Sequence, residues 1–472
     1  MMRVRRLIAV VCMAGMLLSP SPALAGLFGD FTLQDEMKMG REFEVLVKST
    51  MPIIEDPVVH DYVQDVVDRL VKPLPPQPYK FPANVVLHNS LNAFAAPGGF
   101  VFVFSGLIMH LNHESELAGV LAHEVAHVTQ RHIAGRMERG RVISMASLLG
   151  MVAGVAAGLA GGGSAGGAAM VGSMAAGSAA MLNYSRLDED DADRFGLRYL
   201  VDAGYNPKGL GGAFEVLRSQ DWGGGSAMPA YLSTHPDLNI RLAKLRADIQ
   251  SMPANLTNRR EDDGRFRRVQ ALLWARYGDA AHAEQIFARG GEKDSVCLMG
   301  RAMLAARQNR IKDAEGLFAS ALKLAPNDAL ILREAGIFEY TKGGDVTRAR
   351  RYLEQSLRLS PGDYYAVFFY ARLLDDAGDR AGAQQRYREV LRHVPEDSEV
   401  HTYYGRSLGA VNKLCEGYLH LAYAALYSND RRRAESWLEK AKASARSAEE
   451  KKAIKTYEEK AAARARIMKE AR

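Results

Sequence analysis

The carboxy-terminal half of this chain repeats with a period of 34 to 35 residues, and that period restricts the folds open to it. Three prolines mark the period, Pro326, Pro361 and Pro395, at spacings of 35 and 34 residues. Each is followed two residues later by an aspartate, and an alanine lies twelve residues before each. Such self-similarity is typical of stacked helical pairs, in which each unit buries its apolar face against its neighbours. The sequence therefore predicts an all-α solenoid over residues 258–446.

This repeat resembles the tetratricopeptide repeat, a helix-turn-helix unit of 34 residues. Small residues at fixed positions would let the two helices pack closely, and the proline would end the second helix. The longer interval after Pro395 predicts one additional helix over residues 398–411. Residues 447–472 are charged and helical in pattern, and we expect a solvated carboxy-terminal helix there. The resemblance implies a binding domain for proteins; the alternative is a scaffold without a partner.

A second pattern lies at residues 123–127, which read His-Glu-x-x-His within an apolar run at helical spacing. Residues i and i+4 of a helix share a face, so His123 and His127 would direct two imidazoles at one point. That spacing is typical of two Zn²⁺ ligands, with Glu124 as the general base of a hydrolase. The alternative is a pair of packing histidines on a core helix. We expect His132, roughly 140° away on an ideal helix, to be a surface or capping residue.

The region around this motif has a mixed pattern. Helical periodicity covers residues 30–49 and 58–71, and a short strand is predicted at 84–88. A small sheet with helices on one side, an α+β fold, is therefore expected for the domain at residues 26–257. The fold class predicted for the whole chain is this α+β domain followed by the all-α repeats.

A catalytic zinc ion takes three protein ligands and keeps one position open, so a third ligand must come from elsewhere. Residues 189–193 read Glu-Asp-Asp-Ala-Asp and precede a helical run. The alternative for these acids is a charge cluster that stabilises a helix amino terminus. With these acids downstream of the 123–127 motif, the chain resembles the HtpX and Ste-type gluzincin zinc metallopeptidases, which have a zincin-like fold. The resemblance covers about residues 30–250 and includes the stretches at 92–99 and 234–241.

The resemblance implies roles for several residues of the second half of this domain. Glu189 is implied as the third zinc ligand, although Asp191 departs from the family pattern and competes with it. Asp193 is implied to accept a hydrogen bond from a ligand histidine. His235 and Arg241 match positions suited to stabilising the oxyanion. His235 is alternatively a turn residue, or a fourth zinc ligand in the resting enzyme.

A β-rich apolar run precedes the metal motif and consists of Phe100, Val101, Phe102, Val103 and Phe104. Its alternating aromatic residues predict a strand. Peptides often bind proteases by adding a strand to an exposed sheet edge. We therefore expect this run to be either the substrate-binding edge strand or a wholly internal strand.

The amino terminus predicts export. Residues 1–25 combine a start with three arginines, an apolar run at 7–18 and a cleavage site ending at Ala25, which is typical of a cleaved signal peptide rather than a membrane anchor. Without them the formal charge falls from +6 to +3, too little to indicate a nucleic-acid partner. We expect a periplasmic protein, free or peripheral to the outer membrane. Cys297 and Cys415 then remain, either as a disulfide or as buried thiols.

Residues 142–184 contain no charged side chain and are rich in glycine, alanine, serine and methionine. Two helices joined by a flexible turn would fit this composition. Three placements stay open: contact with a membrane surface, a buried helical pair, and a transmembrane hairpin. The segment could also serve as a lid over the metal site.

Export, a peptidase domain and repeats together are most similar to the BepA-like group of periplasmic protease-chaperones within this family. The resemblance implies a zinc endopeptidase, with one Zn²⁺ per chain, that degrades misfolded or stalled outer-membrane proteins and assists their assembly. The implied partners are polypeptide substrates and, through the repeats, the outer-membrane protein assembly machinery. Two alternatives remain: a chaperone or assembly adaptor with a largely silent peptidase site, and a membrane-embedded HtpX-like quality-control protease.

Overall fold

The computed structural model describes residues 32–138, 184–219, 231 and 234–470. The predicted signal peptide and nearly all of the uncharged 142–184 segment lie outside the described residues. The first unit combines helices with one small sheet, and the second is built from helices. The prediction of an α+β domain followed by all-α repeats is therefore confirmed.

The elements of the first unit follow in chain order. The helices are α1 Leu33–Thr50, α2 Pro57–Val71, α3 Ser105–His110, α4 Glu114–Thr129, α5 His132–Glu138, α6 Arg186–Asp202, α7 Lys208–Ser219 and α8 Leu238–Gln250. The strands are β1 Ala83–Val86, β2 Ala93–Ala95 and β3 Val101–Phe104.

Strand β3 occupies the centre of the sheet, in the order β1-β3-β2. It pairs with β1 in parallel and with β2 in antiparallel orientation. Phe102 packs against Phe43 and Phe94 on one face of the sheet, while Val101 and Val103 face the core on the other. The prediction that residues 100–104 form an exposed edge strand is therefore wrong, because both neighbours of β3 use its hydrogen-bonding groups. The alternative of an internal strand is correct, and β2 is the edge.

Helix α4 carries the metal motif through the middle of the first unit. It packs between α6 and α7, with β2 alongside. Two glycines permit the close approach. A Cβ on Gly119 would lie 2.6 Å from the Leu210 Cα, and one on Gly196 would lie 3.0 Å from the His123 Cα. The motif is thus held by backbone-to-backbone packing on two sides, which leaves its side chains little freedom.

The second unit begins at Gly264 and continues to Glu470. Its helices are α9 Gly264–Tyr277, α10 Ala280–Gly290, α11 Ser295–Arg307, α12 Ile311–Leu324, α13 Ala329–Phe338, α14 Val346–Leu359, α15 Tyr364–Asp376, α16 Arg380–His393, α17 Ser398–Ala410, α18 Leu414–Tyr427, α19 Arg431–Ser444 and α20 Ala448–Glu470. The additional helix expected after Pro395 is α17.

The periodic aspartates of the repeats are helix caps. Asp328 and Asp397 each accept two hydrogen bonds from backbone N–H groups in the first turn of α13 and α17, and Asp363 accepts one in the first turn of α15. A capping aspartate satisfies donors that a helix start leaves unpaired. The periodic alanines on the second helices are fully buried. Cys297 and Cys415 are free, buried thiols, as one of the two expectations had it.

Buried charges join the repeats to the first unit. Arg333 of α13 is fully buried and reaches Asp56, the cap of α2, at 2.8 Å. It also contacts Glu334 at 2.9 Å and Asp363 at 3.0 Å, while Arg276 of α9 contacts Asp56 and Glu334. We call these five residues the ionic junction.

The far end of the repeats also contacts the first unit. The Asn429 side chain donates a hydrogen bond of 2.5 Å to the Ser49 carbonyl at the end of α1. Arg466 of α20 lies 3.6 Å from Glu42 of α1. Within the described ranges, none of the helices combines the length and apolar character that crossing a bilayer requires.

Candidate metal centre

Four side chains from three parts of the chain converge beside α4. His123 and His127 project from α4, Glu189 from the first turn of α6, and His235 from the segment before α8. One donor atom from each lies within 4.8 Å of all the others, and each residue is at most 1% exposed. The first three are the residues predicted as zinc ligands, and the structure brings their donor atoms together.

The spacing of these donors fits a tetrahedral ion. The Nε2 atoms of His123 and His127 are 3.0 Å apart, and His235 Nδ1 is 3.3 Å from His123 Nε2 and 3.0 Å from Glu189 Oε1. Glu189 oxygens lie 3.5–3.6 Å from the two α4 imidazoles. Donors that each bind zinc at about 2.0–2.1 Å in tetrahedral geometry are separated by roughly 3.3 Å. Imidazole and carboxylate donors also suit zinc chemically.

Asp191, the competing acid, points away from this cluster. Its carboxylate is about half exposed and pairs with Arg194 at 2.8 Å. Glu189 is instead buried at the centre. Burial opposes its ionised form, but the charge and hydrogen bond of His235 and the charge of Arg241 lower its pKa, which keeps it an anion. Of the two carboxylates, Glu189 is the one available to a metal.

A carboxylate and an arginine lie behind His123. Asp193 Oδ1 is 3.0 Å from His123 Nδ1, so the imidazole donates to Asp193 and presents Nε2 to the cluster. Arg241 binds Asp193 through Nε at 2.7 Å and Nη2 at 2.6 Å, and it also contacts Glu189. Burial opposes ionisation of Asp193, but Arg241 and His123 hold its pKa well below the usual value. This arrangement fixes one tautomer of His123.

His132 lies behind His127, and the prediction of a surface or capping role for it is wrong. Its Nδ1 is 2.8 Å from His127 Nδ1, and the residue is 7% exposed. Helix α4 ends at Thr129, and Arg131 adopts a left-handed conformation with φ of 53°, so ideal helical phasing does not continue to His132. The contact lets His127 donate from Nδ1 and present Nε2 to the cluster. The spacing His-x-x-x-x-His was visible in the sequence, but the turn was not.

Glu124 lies between the cluster and the edge strand. Its Oε2 accepts a hydrogen bond from the Ala95 N–H of β2 at 3.1 Å. Its Oε1 is buried without a hydrogen-bond partner and lies 3.6 Å from His235 Nε2. Burial raises the pKa of Glu124 to about 7, against the charge of His235. A carboxylate with a pKa near neutrality and one free oxygen is suited to accept and return a proton.

Two tyrosines that sequence reasoning did not single out cover the cluster. The Tyr184 ring stacks on His127 with centroids 3.7 Å apart, and the Tyr231 ring stacks on His235 at 4.3 Å. A small cavity next to His127 is lined by Glu36 of α1 and by the edge segment that includes Ala95. Burial lowers the pKa of both α4 histidines, which favours the neutral, metal-binding form.

Comparison with known proteins agrees with this centre. Residues 55–249, which carry all four converging side chains, match peptidase family M48. Residues 340–406 match the tetratricopeptide repeat, as expected for the second unit.

Several relatives align with part of this chain. A Vibrio cholerae relative is 30% identical over 311 residues, which are 64% of this chain and 63% of the relative. The Beta-barrel assembly-enhancing protease of Escherichia coli is 28% identical over 310 residues, 64% of this chain and 62% of that protein. The Mitochondrial metalloendopeptidase OMA1 of Arabidopsis thaliana is 34% identical over 177 residues, 38% of this chain and 33% of that protein. The chain thus spans just under two thirds of the first two relatives, and the metallopeptidase name of the third agrees with a metal at this centre.

Proposed function

We propose that this chain is a zinc endopeptidase whose metal is held by His123, His127 and Glu189. The convergence of these three side chains with His235, at tetrahedral spacings and in complete burial, carries the proposal. The M48 match and the metallopeptidase names among the relatives support it. Bound zinc would supply Lewis acidity, making water nucleophilic at neutral pH and polarising the scissile carbonyl.

The residues around the metal site carry out proton transfer and position the substrate. Glu124 takes the proton from the attacking water and returns it to the leaving amine, since its free Oε1 faces the cluster. Its other oxygen holds the N–H of Ala95, so the edge strand β2 and the base are positioned together. A substrate strand that paired with β2 would lie directly beside the base.

We propose a positioning role for Arg241. Its guanidinium is 2% exposed and engages Asp193 and Glu189, so it orients the groups that hold the metal. We assign stabilisation of the oxyanion to His235, whose Nε2 lies 3.6 Å from Glu124 Oε1 and whose Nδ1 lies 3.0 Å from Glu189 Oε1. In the same position His235 Nδ1 would also serve as a fourth ligand of bound zinc at rest, so the ring would have to withdraw before a substrate carbonyl enters.

The proposed setting follows from the relatives and the amino-terminal pattern. Relatives named for enhancing beta-barrel assembly suggest that the substrates are outer-membrane proteins, misfolded or stalled in assembly. The signal-like residues 1–25 support a periplasmic location. The repeats would recruit clients or assembly machinery. The second candidate, an assembly adaptor with a silent peptidase site, is favoured by the presence of His235 among the donors.

A digestion experiment separates the two candidates. Purified full-length protein, its Glu124→Gln variant and a matched Glu215→Gln control at an exposed site on α7 are each incubated with zinc and an unfolded outer-membrane protein. An endopeptidase should lose activity by about 100-fold or more in Glu124→Gln while its zinc content stays equal. Glu215→Gln should cleave like the parent. Equal, residual cleavage in all three proteins would reject the peptidase and leave the adaptor.

The resting role of His235 needs its own test. His235→Ala should bind zinc with three protein ligands and admit water to the fourth position. Zinc X-ray absorption should therefore report one imidazole fewer than in the parent protein. An unchanged ligand count would exclude His235 from the metal.

A further inference from the structure

A groove between the last two helices of the repeats and the carboxy-terminal helix has no role in the proposed peptidase chemistry. Its volume is about 630 Å³, within the range of binding pockets. Its lining is largely apolar and comes from α18, α19 and α20. The apolar wall is formed by Leu426, Leu438, Tyr457, Ala461 and Met468. None of these belongs to the metal centre, which lies in the first unit.

An incompletely paired arginine lies in this apolar wall. The Arg464 side chain is 8% exposed, and its Nε is buried without a hydrogen-bond partner. Its nearest acid, Glu396, is 3.6 Å away and is shared with Lys460. Burial lowers the pKa of Arg464 against the charge of Glu396. A buried guanidinium with an unused donor is costly, and an acceptor that arrives with a ligand would recover that cost.

The other charges of the groove favour an anion as well. Arg431 and Lys469 line it together with Arg464, whereas Glu435 is its single acid. Glu435 pairs with Arg431 at 2.7 Å, so these two charges compensate each other, and Arg464 and Lys469 give the groove its positive charge. A ligand that fits must therefore present apolar surface and a carboxylate close together. The last residue of a polypeptide has this combination when its side chain is apolar.

The groove is also continuous with the contact between the two units. Asn429 lines it and donates to the Ser49 carbonyl of α1. The other end of α1 carries Glu36, which lines the small cavity next to His127. A polypeptide end held in the groove would therefore lie next to the contact between the repeats and α1.

We infer that this groove binds the free carboxyl terminus of a polypeptide whose final side chain is apolar. Arg464 binds the terminal carboxylate, and the wall of Leu426, Leu438 and Met468 receives the side chain. This site goes beyond the proposed peptidase function, because it recognises the end of a client and not the bond to be cut.

The test measures peptide binding to the full chain carrying Glu124→Gln, so that peptidase activity cannot affect the result. The probes are a fluorescein-labelled ten-residue peptide ending in phenylalanine with a free carboxyl group, and the same peptide as its carboxamide. Ala465→Trp fills the groove from an exposed position on α20. Ala463→Trp is the matched control, because Ala463 is exposed on α20 but does not line the groove.

We expect the free acid to bind at least ten times more tightly than the carboxamide in fluorescence anisotropy. Ala465→Trp should weaken binding of the acid at least tenfold, and Ala463→Trp should change it less than twofold. Arg464→Met should remove the difference between acid and carboxamide, and Arg464→Lys should restore part of it. Equal affinities for the two peptides, no saturable binding of either, or wild-type binding by Ala465→Trp would each overturn the inference. The result does not depend on whether the metal centre is active.

Discussion

Replacement of Arg333 by methionine should expose the energetic role of the ionic junction. Arg333 is fully buried and contacts three carboxylates, those of Asp56, Glu334 and Asp363, at 2.8–3.0 Å. The substitution keeps an unbranched side chain in place but removes a cation from three buried acids, of which Asp56 and Glu334 keep Arg276 as a partner. Breaking a buried ion pair from one side costs about 3–5 kcal/mol, because uncompensated charge stays in a low-dielectric interior. We therefore expect unfolding to become easier by about that amount.

Urea unfolding followed by circular dichroism measures this change. Arg351→Met, at an exposed position of α14, serves as the control and should shift stability by no more than about 0.5 kcal/mol. We also expect the variant to separate unfolding of the repeats from that of the first unit, since the junction joins them. The reasoning fails if Arg333→Met destabilises by less than about 1 kcal/mol, a value typical of an ordinary surface contact.

Three further predictions concern the metal centre and the repeats. His132→Phe and Asp193→Asn should each weaken zinc binding about 10- to 100-fold in chelator competition, because each removes the partner of a ligand imidazole; unchanged affinity would refute these contacts. Zinc at 100 times its dissociation constant should stabilise the protein by about 2.7 kcal/mol in thermal unfolding, and an unchanged melting temperature would refute the site. Burial lowers the pKa of His401 to about 4 and that of His420 to about 3. An unfolded histidine has a pKa near 6.5, so below that pH the unfolded chain binds protons that the folded protein does not. The free energy of unfolding should therefore decrease as acid is added, by about 2 kcal/mol per imidazole at pH 5. The double variant His401→Gln/His420→Gln should lose this acid sensitivity, whereas the exposed control His393→Gln should keep it.

Local sequence patterns explain which parts of the candidate metal centre could be predicted. His123 and His127 share a helix face because their spacing alone sets their relative direction. Glu189 and Asp193 were assigned by resemblance, and Glu189 lies on the same α6 surface that Gly196 lets approach α4. His132 was misplaced because a single left-handed residue, Arg131, ends the helical phasing between it and His127.

Contacts between distant parts of the chain could not be predicted from the sequence. The aromatic alternation of β3 reports which faces of a strand are buried, but it carries no information on how many strands lie beside it. The contact between Asp56 and Arg333 joins positions 277 residues apart, and no local pattern connects them. By contrast, the Pro-x-Asp period was readable because each aspartate caps the helix that it immediately precedes.

The length of helix α1 sets the distance between the metal centre and the contact with the repeats. A helix advances about 1.5 Å per residue, so its positions beside the metal centre, at Glu36, and beside the repeats, at Ser49, are about 20 Å apart. An extended chain covers that distance in roughly six residues. If a client were anchored at its tail beside Ser49, cleavage would be measured from that tail, and the shortest released fragments would be about six residues long. Mass spectrometry of the smallest products would read that length directly.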